Sequence, residues 1–219
     1  MTTATKKRCR VLIVEDHPMV ASGIAETLGS HDGFEVVGVA ANESEALAAA
    51  DEHHPEVATI DITLEKGSGL ALIRSLTEAH PKLRVLVFTM HDEVLYAERT
   101  MRSGAHGYLN KSASADELIE AVRTVARGEL AMSDSMNARL VQRAIGNSDG
   151  NDGVASLTNR ELEIFEHIGR GRQLSDIASA LSISTKTVET HREHIKKKLG
   201  LGSSTELARF AVAWIENPG

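Results

Sequence analysis

The chain has 219 residues, of which 42% are hydrophobic, 25% are charged and only 3% are aromatic, and its formal net charge is −7. These values are typical of a folded globular protein and exclude a disordered, collagenous or disulfide-rich chain. The length favours two domains over one, and no apolar run approaches the roughly 18 residues that cross a bilayer.

The N-terminus carries basic side chains but leads into a short run, VLIV, that acidic residues end at once. A signal peptide would continue into a longer apolar segment. Cys9 is the only cysteine, so no intrachain disulfide can form, as is usual in a reducing compartment. We therefore expect a cytoplasmic protein that does not contact a membrane.

Acidic and basic residues are distributed unevenly. Residues 1–130 contain 13 basic and 20 acidic side chains, whereas residues 155–219 contain 9 and 8. Within that last segment Lys196, Lys197 and Lys198 are consecutive. The acidity of the whole chain therefore hides a local basic patch.

The first 130 residues alternate short β-branched runs with helical stretches rich in Ala and Leu. Helix-start signals agree with this pattern, because Asn42 and Ser114 each precede a glutamate by three residues, the spacing of a capping box. Near-continuous apolar runs indicate strands covered by helices on both faces of a parallel sheet. We predict five βα units with strands at 11–14, 34–40, 57–60, 85–89 and 107–110.

Polar side chains follow the carboxyl ends of four of these strands. Since those ends meet at one edge of a parallel sheet, we expect the side chains to converge on one crevice. Crowded carboxylates repel one another unless a cation neutralises them, and Mg²⁺ takes such oxygens while leaving room for phosphoryl oxygens. A phosphoryl group on the central aspartate would lie beside an ammonium and a hydroxyl. The residues are Glu15, Asp16, Asp61, Thr89 and Lys111.

This set, together with Tyr108, resembles the receiver domain of response regulators over residues 9–128. The resemblance implies a flavodoxin-like, doubly wound sheet of five parallel strands in the order 2-1-3-4-5. It implies that Asp61 accepts phosphate from a sensor histidine kinase and that Thr89 and Tyr108 form a switch pair acting on the surface of the fourth helix, fifth strand and fifth helix. It also implies a Mg²⁺ site made by Glu15, Asp16, Asp61 and the Thr63 carbonyl.

The sequence departs from the receiver pattern at two positions. Glu65 stands where receivers usually have proline, which affects the geometry and lifetime of the phosphorylated loop. Glu15 replaces the commoner aspartate, a change that such sites tolerate.

Residues 129–154 are predicted to form a linker with one helix at 133–145. The linker ends in GNSDGNDG, a segment of small and polar residues with nothing to bury. Thr158 with Glu161 then has capping-box spacing, and Gly200 is a candidate helix C-cap. No strand pattern follows, only helical stretches at 158–169, 174–181, 184–199 and 204–215.

Two of these stretches are joined only by Ser182 and Ile183, a tight connection typical of a helix-turn-helix. At about 100° per residue, Val188, Ile195 and Leu199 share one face of the second helix and are predicted to be buried. The opposite side, where a DNA groove could be read, carries Lys186, Thr190, Glu193 and Lys197.

Residues 156–215 resemble the LuxR-type (NarL/FixJ) helix-turn-helix, which implies an all-α domain of four helices over 155–217 that binds double-stranded DNA. The resemblance assigns base contacts to Lys186, Glu189 and Thr190, with Glu193 as a further contact. Four further side chains carry a positive charge or a hydrogen-bond donor and are predicted to contact phosphate, namely Thr187, His191, Lys196 and Lys197.

The last helical stretch carries Leu207, Phe210, Ala211 and Trp214 at helical spacing. Such a stripe is usually core. The resemblance adds that this helix often pairs two copies, so we expect a homodimer on DNA or after phosphorylation.

These features predict a phosphorylation-gated, DNA-binding transcription regulator of a two-component system, and not an enzyme. One alternative is an aspartyl-phosphate phosphohydrolase, but such enzymes need a second aspartate two residues after the first, where this chain has Thr63. Another is a receiver-containing regulator that works without phosphorylation.

The ten histidines raise the question of a further metal site. His191 and His194 have helical spacing, but the sequence alone supplies no cysteine or carboxylate partner for them. We therefore expect no metal besides Mg²⁺.

Overall fold

A computed structural model describes residues 8–64, 68–91, 93–134, 136–138 and 153–216. The chain divides into two compact units, Met1–Val141 and Gln142–Gly219. Within the described ranges, no helix has the length and apolar character needed to traverse a membrane.

The first unit contains a five-stranded parallel sheet in the order β2-β1-β3-β4-β5, which confirms the predicted fold and strand order. The order reverses between β1 and β3, so the carboxyl ends of these two strands border a crevice. The strands are β1 (Cys9–Val14), β2 (Phe34–Ala40), β3 (Val57–Ile60), β4 (Arg84–Thr89) and β5 (Gly107–Asn110).

Helices follow each strand and enclose a core of branched aliphatic side chains. Every residue of β3 is buried, as the continuous apolar run predicts. Asn42 and Ser114 accept hydrogen bonds from the backbone N–H of the glutamate three residues on, which confirms both predicted caps. The helices are α1 (Pro18–Gly29), α2 (Glu43–His53), α3 (Gly69–Ala79), α4 (Glu93–Arg102) and α5 (Ala115–Ala126).

The chain after α5 returns to the sheet. Ala131 forms a parallel bridge with Gly107, in which the Tyr108 N–H donates to the Ala131 carbonyl at 2.7 Å. Residue 107 must be glycine because a Cβ there would lie 2.9 Å from the Ala131 side chain. Part of the segment that we predicted as linker is therefore tied to β5. Residues 134 and 136–138 are helical, and the rest of the predicted helix 133–145 lies outside the described residues.

The second unit is helical, as predicted. A short 3-10 helix (Gly153–Ser156) precedes α6 (Asn159–Gly169), α7 (Leu174–Ala180), α8 (Thr185–Leu199) and α9 (Ser204–Glu216). Thr158 and Glu161 form the complete capping box at the start of α6, and Gly200 caps α8 with a φ of 68°. The Phe165 ring is fully buried and lies 5.5 Å from the Trp214 ring.

Candidate phosphoacceptor pocket and DNA-facing helix

Asp61 lies directly after β3, and its carboxylate is held by three donors. Oδ1 accepts hydrogen bonds from the Thr89 hydroxyl at 2.8 Å and from the Thr63 N–H at 3.0 Å, and Oδ2 accepts one from Lys111 Nζ at 2.5 Å. Asp61 is only 5% exposed and Thr89 is fully buried. The structure therefore brings together the side chains that the sheet topology predicted to converge.

Lys111 bridges two buried carboxylates. Its Nζ lies 2.6 Å from Glu15 Oε2 as well as 2.5 Å from Asp61 Oδ2. Burial alone would lower the pKa of Lys111, but its hydrogen bonds to Asp61 and Glu15 outweigh that effect and raise the pKa. The lysine is therefore cationic and offsets part of the repulsion between the carboxylates.

His17 adds a second basic group that the sequence reasoning missed. Its Nδ1 lies 2.8 Å from Asp16 Oδ1 and 3.2 Å from Glu15 Oε1. The charge of Asp16 is the main cause of the raised pKa of His17. Its position directly after the acidic pair was the only sequence signal for this role.

The donor set at this edge of the sheet fits a divalent ion with a preference for oxygen. Lys111 joins Glu15 to Asp61, and a carboxylate oxygen of Asp16 lies within 4.8 Å of one of Glu15. The N–H of Thr63 places that residue beside Asp61. Glu15 Oε2 is buried and lies 2.6 Å from the Lys111 ammonium. Such oxygens suit Mg²⁺. Glu65, the residue that departs from the receiver pattern, lies outside the described residues.

The two predicted switch residues, Thr89 and Tyr108, have different hydrogen-bond partners. The Thr89 hydroxyl faces Asp61, whereas the buried Tyr108 donates its hydroxyl hydrogen to the carbonyl of His91 at 2.9 Å. Asn110 Nδ2 donates to the same carbonyl at 3.0 Å, and the His91 ring lies 2.5 Å from the Thr63 hydroxyl through Nε2. His91 therefore connects the acceptor loop to Tyr108. Its position two residues after Thr89 is the only sequence signal for this role.

Residues 131–133, which we name the strap, join β5 to the start of α4. The Ser133 hydroxyl donates to Glu93 Oε2 at 2.6 Å, and the Ser133 N–H donates to Oε1 at 3.2 Å. Ala131 hydrogen-bonds to the backbone of Tyr108 in β5 and of His106, which directly precedes that strand. The strap thus contacts β5, the strand that contains the switch tyrosine, and the start of α4.

In the second unit, α8 presents the side chains expected for a recognition helix. Val188 and Ile195 are fully buried, which confirms the predicted inner face, and Leu199 is partly buried. The turn before α8 contains Ser182 at a φ of 53°, a left-handed conformation uncommon for serine. The outward residues are exposed, namely Lys186, Glu189, Thr190, Glu193 and Lys197.

The residues predicted to contact phosphate differ from one another in exposure and in their side-chain partners. Thr187 pairs its hydroxyl with that of the cap Ser184 at 2.8 Å, and Lys196 Nζ lies 2.8 Å from Glu193 Oε1. His191 is partly buried. The neighbouring Lys198 instead bonds to Glu161 of α6 at 2.6 Å. Gln173 precedes α7 and makes no side-chain cap hydrogen bond.

One cluster of side chains was not predicted from the sequence. The sequence offered no carboxylate partner for His191 and His194, but the fold brings Glu161 to them, with one possible ligand atom from each residue within 4.8 Å of the others. Glu161 is 30 positions away and was recognised only as a helix cap. The packing of α6 on α8 creates the cluster, and periodicity within one helix does not reveal it.

A doubly wound domain with a lysine-bridged acidic pocket, followed by a helix-turn-helix domain, defines the class of two-component response regulators. Residues 11–123 match the family described as "Response regulator receiver domain", and residues 155–211 match "Bacterial regulatory proteins, luxR family". The chain is 37% identical over 209 residues to the "Oxygen regulatory protein NreC" of Staphylococcus carnosus, which covers 93% of this chain and 96% of that protein.

Two solved structures are also similar. The RcsB response regulator of Salmonella typhimurium has a TM-score of 0.72 at 22% identity, covering 94% of this chain and 98% of that one. A LuxR-family response regulator from Aurantimonas has a TM-score of 0.58 at 29% identity, covering 64% and 99%.

The chain therefore belongs to the response regulators that join a receiver domain to a LuxR-type DNA-binding domain. It is a DNA-binding transcription regulator of a two-component system. Members of this family are generally not enzymes, which disfavours the phosphohydrolase alternative.

Proposed function

We propose that Asp61 accepts a phosphoryl group from a sensor histidine kinase in the cytoplasm and that this modification controls DNA binding. The observation that carries the proposal is the buried Asp61 carboxylate, which the Lys111 ammonium and the Thr89 hydroxyl both contact. These two donors stand where the oxygens of an added phosphoryl group need charge-assisted hydrogen bonds.

The transfer forms an O–P bond to Asp61 and breaks the N–P bond of the kinase phosphohistidine. The carboxylates of Glu15, Asp16 and Asp61 and the carbonyl of Thr63 would hold Mg²⁺, which supplies charge neutralisation and positions the incoming phosphoryl oxygens. Lys111 orients Asp61 before the transfer and pairs with a phosphoryl oxygen afterwards.

The conformational change that follows phosphorylation passes through the loop after β4. When Thr89 turns its hydroxyl from the carboxylate to the phosphoryl group, the loop that contains His91 moves with it. The hydrogen bond from the buried Tyr108 hydroxyl to the His91 carbonyl shifts with this loop. Because the strap contacts both β5 and Glu93 of α4, this movement weakens the Ser133–Glu93 hydrogen bonds.

We propose that the exposed side of α8 reads DNA in the major groove. Its base contacts come from Lys186, Glu189, Thr190 and Glu193, and phosphate contacts come from Thr187, His191, Lys196 and Lys197. Structures of Salmonella RcsB bound to promoter DNA with the phosphomimetic BeF₃⁻, and of two RcsB dimers on DNA, support binding as a homodimer. The half-exposed Phe210 and Val212 on α9 offer an apolar pairing surface.

Incubation with acetyl phosphate and Mg²⁺, followed by intact mass measurement, tests the acceptor. The wild type and Asp51→Asn, a matched change at an exposed aspartate, should each gain the mass of one phosphoryl group, and Asp61→Asn should gain none. A gain in Asp61→Asn would place the acceptor elsewhere. No gain in the wild type would favour a regulator that works without phosphorylation.

A further inference from the structure

We propose that Glu161, His191 and His194 form a binding site for a divalent transition metal, with Zn²⁺ as the best fit. One possible ligand atom from each residue lies within 4.8 Å of the other two. The site joins α6 to α8, so it is separate from the oxygen-rich pocket of the first unit. Two imidazoles and one carboxylate are a ligand set that Zn²⁺ accepts, with water in the fourth position.

The cluster is built by two local features. His191 and His194 are three residues apart on α8, which places both rings on the same side of the helix. Glu161 occupies the third position of α6, where its capping box with Thr158 fixes its side chain. Glu161 is 4% exposed, His191 is partly buried and His194 is exposed, so the site is open to solvent on one side.

Burial acts on the pKa of two of the three ligands. It is the main cause of the lowered pKa of His191. Burial opposes ionisation of Glu161, but the Lys198 ammonium and the Thr158 N–H outweigh it and lower the pKa of this carboxyl. Among the described residues, His191 Nδ1 is buried and has no hydrogen-bond partner. A buried nitrogen without a partner is costly, and a metal ion would satisfy it.

Lys198 is the competitor for this site. Its Nζ lies 2.6 Å from Glu161 Oε2, and the Thr158 N–H donates to the same oxygen at 2.7 Å. A metal ion can therefore bind Oε1 while the cap stays intact. Zn–ligand bonds of about 2.0–2.2 Å require the ligand atoms to move closer together, which rotation of the exposed His194 side chain allows.

The site would fasten the recognition helix to the first helix of its domain. His194 lies beside the outward face of α8, and the ion adds positive charge at the flank of that face. Zn²⁺ would thus stabilise the second unit in the conformation that the helix-turn-helix requires.

Calorimetric titration of the full chain with Zn²⁺, in excess Mg²⁺ to saturate the acidic pocket, tests the proposal. We expect one tight site whose affinity falls at least about tenfold in His194→Gln. Because His194 is exposed, this variant should keep its fold. His54→Asn is the matched control, since it removes an exposed histidine at a left-handed position that asparagine tolerates, and it should leave the affinity unchanged.

Two further measurements identify the ligands. Lys198→Gln should raise the affinity for Zn²⁺ because it removes the competing ammonium. Co²⁺ should develop the visible absorption of a four-coordinate site in the wild type and lose it in His194→Gln. Equal Zn²⁺ affinity in the wild type and His194→Gln, or no tight binding by the wild type, would overturn the proposal.

Discussion

The acidic pocket and the proposed DNA-facing side of α8 are built in different ways. Pocket residues come from the ends of several strands, and each buried carboxylate has a charged or hydrogen-bonded partner. The residues proposed to contact bases all come from one helix and are exposed. Sheet topology therefore determines the pocket, whereas the DNA-facing side is determined by how α8 packs on its own small core. Changes to that core should disturb DNA binding and spare the pocket.

Replacement of Phe165 by alanine should have the largest effect. Its fully buried ring contacts Trp214 and Phe210, so Phe165→Ala should destabilise the second unit by about 3–5 kcal/mol. Trp214 is the only tryptophan, so its fluorescence during urea unfolding follows this unit. The matched Phe210→Ala removes a ring that is 40% exposed and should cost much less. Loss of Asp61 phosphorylation in Phe165→Ala would contradict the separation of the two sites.

A substitution in the strap tests whether the effect of phosphorylation is transmitted from the pocket through α4. Ser133→Ala removes a 2.6 Å hydrogen bond to the Glu93 carboxylate and should destabilise the first unit by about 1 kcal/mol. If phosphorylation has to break this bond, the variant should also bind DNA more tightly before phosphorylation. Urea unfolding and a DNA titration measure the two effects. Ser22→Ala, at an exposed position on α1, is the control, and unphosphorylated affinity equal to that of the wild type would exclude the strap from the switch.

A smaller change should distinguish phosphate contacts from base contacts. Lys197→Ala removes an exposed cation from α8 and should weaken binding to every DNA sequence by a similar factor. The slope of log affinity against log salt should fall by about 1, because one fewer counterion is released. Lys82→Ala, at an exposed position in the first unit, should leave the slope unchanged. A change of sequence preference in Lys197→Ala would instead assign Lys197 to base recognition.

The smallest predicted effect is the pH dependence of the stability of the second unit. Burial, followed by the charges of Arg172 and Arg170, lowers the pKa of His167 from 6.5 to about 4. As the pH falls, the unfolded chain therefore protonates His167 at a higher pH than the folded chain does. The stability that neutral His167 contributes is complete above pH 6.5 and is lost as the pH falls from 6.5 to 4. Because His167 is partly exposed, the loss should not exceed about 1 kcal/mol. Trp214-detected unfolding should show a flatter pH dependence in His167→Gln, and identical profiles would refute the assignment.

The sequence predicted the sheet order, the pocket residues and the inner face of α8. Apolar runs place Asp61 and Thr89 at strand ends, and the parallel topology then brings them together. Helical spacing similarly identifies Val188 and Ile195 as buried.

Contacts between distant elements escaped prediction. The hydrogen bond from Tyr108 to His91, the pairing of Ala131 with Gly107 and the approach of Glu161 to His191 each depend on packing. Local sequence periodicity contains no information about contacts between distant elements. From the sequence alone, His91 was therefore interpreted as a loop residue, Ala131 as linker and Glu161 as a helix cap.

DNA affinity measured before and after acetyl phosphate treatment tests the central claim most directly. The probe is a labelled duplex selected from a randomised pool by the wild-type protein. With Mg²⁺ and acetyl phosphate present, affinity should rise at least about fivefold for the wild type and stay unchanged for Asp61→Asn, since coupling between two sites is typically of this size or larger. An equal rise in Asp61→Asn, or no rise in a wild-type protein that mass measurement shows to be phosphorylated, would contradict the account.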